Sequence, residues 1–244
     1  PGACALPFAI ILLLGASTGA AQSGAADGEW RTYGGDLGST RYSPLDQIDG
    51  DNFEDLEEVW RFRTSNLGPY PDFNYQTTPL MIDGVLYATA GSRRDVVALD
   101  AATGEMLWMY RLDEGERGAN AIRRMSGRGV AYWTDRQGDD RIFVVTIGYQ
   151  LVALDAKTGR PVPGFGSDGI VDLKQHNDQL IDPLTGEIGR NSAPIVARHV
   201  VLVGASPRSG RSPPCPAPPK RSPRGLAVRP GQPPALPHPL PPPG

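Results

Sequence analysis

Val97-Ala98-Leu99-Asp100-Ala101-Ala102-Thr103-Gly104-Glu105 returns 55 residues later as Val152-Ala153-Leu154-Asp155-Ala156-Lys157-Thr158-Gly159-Arg160, with seven of the nine positions identical. Self-similarity at such a spacing is the mark of repeat architectures. A second pair brackets the first. Thr77-Thr78-Pro79-Leu80-Met81, followed by Val85-Leu86-Tyr87-Ala88, resembles Ser192-Ala193-Pro194-Ile195-Val196, followed by Val200-Val201-Leu202-Val203. In both, six positions separate the proline from the next apolar run.

Between these anchors the chain reads as short strands and turns. Leu80–Ile82, Val85–Thr89, Val96–Leu99 and Met106–Tyr110 are short apolar or β-branched runs, separated by Asp83-Gly84, Ser92–Asp95 and Ala101–Gly104. The second unit repeats this with Gly129–Trp133, Arg141–Ile147 and Leu151–Leu154. In the Asp-x-x-Thr-Gly turn, the carboxylate can accept from backbone N–H groups two residues on, and glycine supplies the positive φ. Four antiparallel strands per repeat predict an all-β fold, a β-propeller. A β-sandwich is the rival, but it has no need of the same turn twice.

The charge is unevenly distributed. Residues 207–244 hold 15 of the 25 prolines and six Lys/Arg with no Asp or Glu. Residues 1–206 then hold 18 Lys/Arg against 27 Asp/Glu, a charge of −9 beside +6 for the tail. An acidic body argues against nucleic-acid binding, which needs a clustered basic face. Leu6–Leu14 is apolar but far shorter than the roughly 20 residues of a membrane span; with Gly15–Ala21 behind it, it reads as an export signal, residues 1–26. No initiator Met and no Lys or Arg precede it, so the native N-terminus is expected upstream. The only cysteines, Cys4 and Cys215, lie outside 27–206, which excludes thiolate catalysis and cysteine-ligated metals there. No Gly-rich phosphate loop, Gly-x-Ser-x-Gly or His-Glu-x-x-His occurs. His176 and His199 lack a second ligand at metal spacing and read as structural, and Asp135, Asp139 and Asp140 read as a solvated hairpin tip.

Ala98 to Trp108 resembles the tryptophan-docking motif of quinoprotein dehydrogenases, which use pyrroloquinoline quinone (PQQ). In that family the tryptophan packs on the neighbouring blade of an eight-bladed propeller. The second copy departs, with Pro163 where tryptophan is expected, and Pro161–Gly166 looks like the membrane-type glucose dehydrogenase branch. Trp30–Asp36 with Thr40–Ile48 is similar to the start of the mature enzymes, Leu56–Phe62 to their first strand, and Gly127–Trp133 to the segment after their cofactor cap. The resemblance covers residues 29–206 and implies the first two to three blades.

What the resemblance implies is PQQ beside Ca²⁺ in the central channel, a carboxylate taking the substrate proton, and hydride passing to the quinone. Gln76, Arg128 and Thr146 match PQQ-contacting positions; an arginine fork suits a cofactor carboxylate. The catalytic Asp and the Ca²⁺ ligands are expected beyond residue 206, so no catalytic or metal residue is assigned within the chain. Many alcohol-oxidising relatives carry two adjacent cysteines before the arginine; here Arg123-Arg124-Met125-Ser126 stands there, as expected of a sugar-oxidising branch. Residues 207–244 read either as a disordered polyproline II tail or as the product of a shifted reading frame. The implied protein is a periplasmic dehydrogenase of glucose or another sugar or alcohol. It would pass electrons to a quinone or cytochrome, with peripheral membrane association compatible, and this piece alone would be inactive. The alternative is a non-enzymatic propeller scaffold of the outer-membrane assembly type.

Overall fold

A computed structural model describes residues 24–26, 28–207 and 226–228. The expected leader and most of the proline-rich tail lie outside the described residues.

Hydrophobic runs bounded by turns form two four-stranded antiparallel meanders. The first is β1 (Leu80–Ile82), β2 (Val85–Ala90), β3 (Asp95–Asp100) and β4 (Met106–Tyr110). A single helical turn, α1 (Gly115–Ala119), leads toward the second. That sheet contains β5 (Ala131–Thr134), β6 (Asp140–Val145), β7 (Gln150–Asp155) and β8 (Ile170–Asp172). After β9 (Ile188–Gly189), β10 (Ile195–Ala197) and β11 (Val200–Val203) start a third unit. Its hairpin repeats the register of β1–β2: Ile195 faces Leu202 as Leu80 faces Tyr87. A short β12 (Ser206–Pro207) pairs with β9, and β13 (Leu226–Val228) adds a third strand beside β11.

The inner strands lack polar alternation because both their faces are covered. On β3, Val96 and Ala98 turn toward the second sheet and share a core with Ile142, Val144, Val152 and Leu154. Val97 and Leu99 turn the other way, onto Leu67, Trp60 and Phe62. The second sheet meets the third unit through Phe143, Val145, Leu151, Phe165, Val201 and Val203. Radially stacked sheets of this kind are propeller blades.

Both repeated turns close alike. Asp100 Oδ1 accepts from the N–H groups of Ala102 and Thr103 and from the Thr103 hydroxyl. Asp155 Oδ1 accepts from Thr158 N–H and Oγ1. Trp60 donates its indole N–H to Ala101 O at 3.1 Å, and Trp108 donates to Ala156 O at 3.0 Å. Each indole lies on the turn glycine: a Cβ on Gly104 would meet Trp60 at 2.5 Å, and one on Gly159 would meet Trp108 at 2.4 Å. Only glycine admits that approach at φ near +70°.

Three differences from the sequence reading have local causes. Leu56–Phe62, expected as a strand, carries no ladder bonds among the described residues and is held by Trp60 instead. The second unit, read with three strands, is completed by β8, which forms only after Pro161–Gly169 has delivered Phe165 into the core, edge-on to Phe143 at 5.5 Å. A third Asp-x-x-Thr-Gly turn, Asp182–Gly186, forms with the same bonds from Leu184 N, Thr185 N and Thr185 Oγ1 to Asp182 Oδ1. It carries no strand before it, and buried Lys174 fastens it by donating to Pro183 O at 3.0 Å.

Candidate functional site

In an antiparallel meander, the start of the first strand, the end of the second and the start of the third share one end of the blade. Gln76 precedes β1, Arg128 precedes β5 and Thr146 follows β6, so all three stand at the same end, opposite the docking turns.

Two of them are joined through backbone. Thr78 N–H donates to Arg128 O at 3.2 Å, and Gly129 (φ +110°) packs so close that a Cβ would meet Thr78 O at 2.7 Å. Arg128 N–H donates to Asn191 O at 2.8 Å, which ties the same residue to the third unit. The side chains of Gln76 and Arg128 are exposed and have no hydrogen-bond or ion-pair partner among the described residues. A free guanidinium fork and a free amide at the same end of the blades suit a planar, carboxylate-bearing ligand.

Thr146 differs. It is buried, and its hydroxyl donates to Glu114 Oε1 at 2.7 Å while accepting from Gln150 N–H at 3.0 Å. Glu114 Oε2 also accepts from Gly148 N–H at 2.9 Å. A hydroxyl has one proton to give, so an anion on Thr146 would compete with Glu114.

Around this end lie groups that the sequence reading passed over. Arg117 is buried and forms a bidentate pair with Asp172, at 2.5 and 2.9 Å, while its Nε donates to Gly148 O at 2.7 Å. Burial alone would raise the Asp172 carboxyl; the Arg117 guanidinium and the Lys174 N–H outweigh it and hold its pKa below the usual carboxylate range. Arg94 is buried without any carboxylate in contact, and burial pushes its guanidinium down to about 10. Arg123 and Arg124, which stand where many relatives carry two cysteines, part ways. Exposed Arg124 is folded back onto Ala119 O and Ala121 O, and half-buried Arg123 faces a cleft of about 500 Å³. Tyr70, Phe73, Asn74 and Asn191 also line that cleft; Gln76, Arg128 and Thr146 do not. Among the described residues, no group of three His, Cys, Asp or Glu is placed to hold a metal ion. His199 packs edge-on against Trp133.

A family model described as PQQ glucose/ethanol/alcohol dehydrogenase, β-propeller domain, matches residues 30–233. Among curated proteins the chain is 40% identical over 139 residues to 1-butanol dehydrogenase (cytochrome c) of Thauera butanivorans, covering 57% of this chain and 18% of that protein. It is 28% identical over 199 residues to quinoprotein glucose dehydrogenase of Escherichia coli, covering 76% of this chain and 24% of the relative. The quinohemoprotein alcohol dehydrogenase structure from Comamonas testosteroni superposes with a TM-score of 0.60 at 28% identity, over 76% of this chain and 24% of that one. The chain thus spans about a fifth to a quarter of these relatives.

Proposed function

Because the chain belongs to the PQQ-dependent glucose/ethanol/alcohol dehydrogenase β-propeller family, we propose that it supplies the first blades of a dehydrogenase that oxidises a sugar or polyol hydroxyl to a carbonyl. PQQ, when bound, supplies the hydride acceptor. The observation that carries the reading is the pair of unpartnered donors, Arg128 and Gln76, near one backbone junction at the end of two blades opposite the docking turns.

In this reading the Arg128 fork holds a cofactor carboxylate and the Gln76 amide bonds the cofactor edge. Thr146 is the third contact, and it reaches an anion only by giving up its bond to Glu114. The substrate-proton base and the Ca²⁺ ligands come from later blades. The preference for a polyhydroxylated substrate rests on the cleft beside this end, which Tyr70, Phe73, Asn74, Arg123 and Asn191 line. A lining of aromatic, amide and guanidinium groups suits a ligand that is apolar on its faces and polar at its rim. A second reading, a simple primary alcohol, is favoured by the 40% identity to 1-butanol dehydrogenase. Export to the periplasm, with electrons passed to a quinone or cytochrome, completes the proposal; the Leu6–Leu14 apolar run supports the export.

The test is dye reduction by the polypeptide expressed from the native gene, loaded with PQQ and Ca²⁺. Glucose or glycerol turnover above that with 1-butanol supports the polyol reading, and the reverse order supports the simple alcohol. A protein that binds no PQQ would be a scaffold. The 244-residue chain given PQQ and Ca²⁺ should show no turnover, since it spans about a quarter of its relatives and the described residues form two four-stranded blades and part of a third; measurable dye reduction by that chain would overturn this.

A further inference from the structure

Arg94 lies in the turn between β2 and β3, yet its side chain reaches three other parts of the molecule. Its Nε donates to Met125 O at 3.1 Å. Nη1 donates to Val145 O at 3.0 Å and Arg190 O at 2.8 Å, with a longer contact to Thr146 O at 3.5 Å. Nη2 donates to Arg123 O at 3.1 Å and Asn191 Oδ1 at 2.8 Å, with Arg124 O at 3.5 Å. Every N–H of the guanidinium is thereby consumed, so Arg94 has nothing left to bind a ligand directly.

What it binds, apart from the Asn191 side chain, is backbone, and that backbone presents the candidate contacts. The carbonyls of Val145 and Thr146 fix the strand end from which Thr146 projects. Arg123–Met125 leads through Gly127 into Arg128, and Asn191 takes Arg94 on its side chain and Arg128 N–H on its carbonyl. Arg128 in turn holds Thr78, two residues from Gln76. Gly127 (φ +68°) passes so close that a Cβ would lie 2.9 Å from Arg94 Nε. Arg94 and Met125 both sit at positive φ, +60° and +71°. Non-glycine residues stay there only where their surroundings over-determine them.

We propose that Arg94 is the positioning residue of the cofactor site, a buried guanidinium that sets Arg128, Thr146 and, through Thr78, Gln76 in one frame. The proposal rests on the PQQ reading above. Lysine keeps the charge but offers three donors on one atom, so it cannot span acceptors that approach from three sides.

The test compares Arg94→Lys, Arg128→Met and the unaltered polypeptide expressed from the native gene. It reads the PQQ dissociation constant in the presence of Ca²⁺ and backbone hydrogen exchange without cofactor. Arg94→Lys should weaken PQQ about 10-fold or more. It should also speed exchange at Met125, Arg128 and Gln150 while leaving Ala153, inside β7, unchanged. Arg128→Met should weaken PQQ with no change in exchange at Met125 or Gln150. If Arg94→Lys does not fold, Asn191→Ala, which removes one acceptor and leaves Arg94 in place, should still weaken PQQ severalfold. Unaltered polypeptide that binds no PQQ overturns the cofactor reading and the positioning role with it. Normal binding that neither Arg94→Lys nor Asn191→Ala changes overturns the positioning role alone.

Discussion

Replacing Gly159 with alanine separates the two demands that the docking turn makes on its glycine. Gly159 has φ +68°, and a Cβ there would sit 2.4 Å from Trp108 Cε3. Gly84, in the β1–β2 turn, has φ +79° with nothing within 4 Å of the same atom. Alanine at either position incurs the left-handed penalty, about 1–2 kcal/mol. Only at 159 must the indole also retreat. Retreat breaks the Trp108 bond to Ala156 O, worth about 1 kcal/mol. It also disturbs the ring contact with Tyr87, whose centroid is 5.9 Å away and whose hydroxyl donates to the same carbonyl. An aromatic pair adds about 0.5–1.5 kcal/mol. Gly159→Ala should therefore cost about 2 kcal/mol more than Gly84→Ala, a gap of roughly 4–8 °C in Tm for a chain of this size. Thermal unfolding followed by circular dichroism measures it, with tryptophan emission reporting indole exposure. Equal Tm losses for the two variants, with unchanged emission, would refute the argument that the indole seam holds the blades together.

Three more outcomes follow from the site end. Asp172 has its pKa lowered in the fold, so its contribution is fully present above the ordinary carboxylate value near 3.9 and is lost as pH falls through the lower folded value. Tm measured at pH 6 and pH 3 should drop less for Asp172→Asn than for the unaltered chain. Thr146→Val strips a partner from both the Glu114 carboxylate and Gln150 N–H, and should cost about 1–3 kcal/mol in denaturant titration. Arg128→Met removes an exposed, unpartnered group, so stability should move by no more than about 0.5 kcal/mol while PQQ affinity falls about 10-fold or more, read by equilibrium dialysis.

The propeller was legible because its repeat is a local device. The Asp carboxylate, the threonine and the glycine that close each docking turn are neighbours in sequence, and Trp108, four residues after Gly104, is the indole that the next docking turn receives. The third turn at Asp182 escaped notice because the reading relied on the apolar strand before the motif, which that copy lacks. The outer strand of the second blade was not read for a related reason: Pro163 stood where tryptophan is expected, and nothing local says that Phe165 dives into the core before the chain resumes as β8. The site was legible only in part. Gln76 and Arg128 project from strand starts, where the repeat fixes the end of the blade. That Thr146 is already engaged depends on Glu114, 32 residues away. Arg94 read as one of two turn arginines, and its acceptors lie up to 97 residues downstream. No spacing rule reports a contact of that kind.

The two ends of these blades carry separate duties, and the strand geometry is the reason. In a four-stranded meander, the turns after β1 and β3 share one end, and the turn after β2 and the exit of β4 share the other. Ala101 N–H donates to Gly84 O across the first end, which joins the two turns there. That end holds the Asp100 and Asp155 turns and both docking indoles, whose N–H groups are taken by Ala101 O and Ala156 O. The opposite end collects the chain's longer connections, residues 111–130 and 173–194, where backbone groups outside α1 and the short β9–β12 pair lie off the blade ladders. Something must satisfy those carbonyls where they are buried. Arg94 does so, and by spending its donors on backbone it leaves Arg128 and Gln76 free. The blade-to-blade seam and the proposed cofactor-facing end therefore draw on different residues, which is why stability and cofactor affinity should respond to different substitutions.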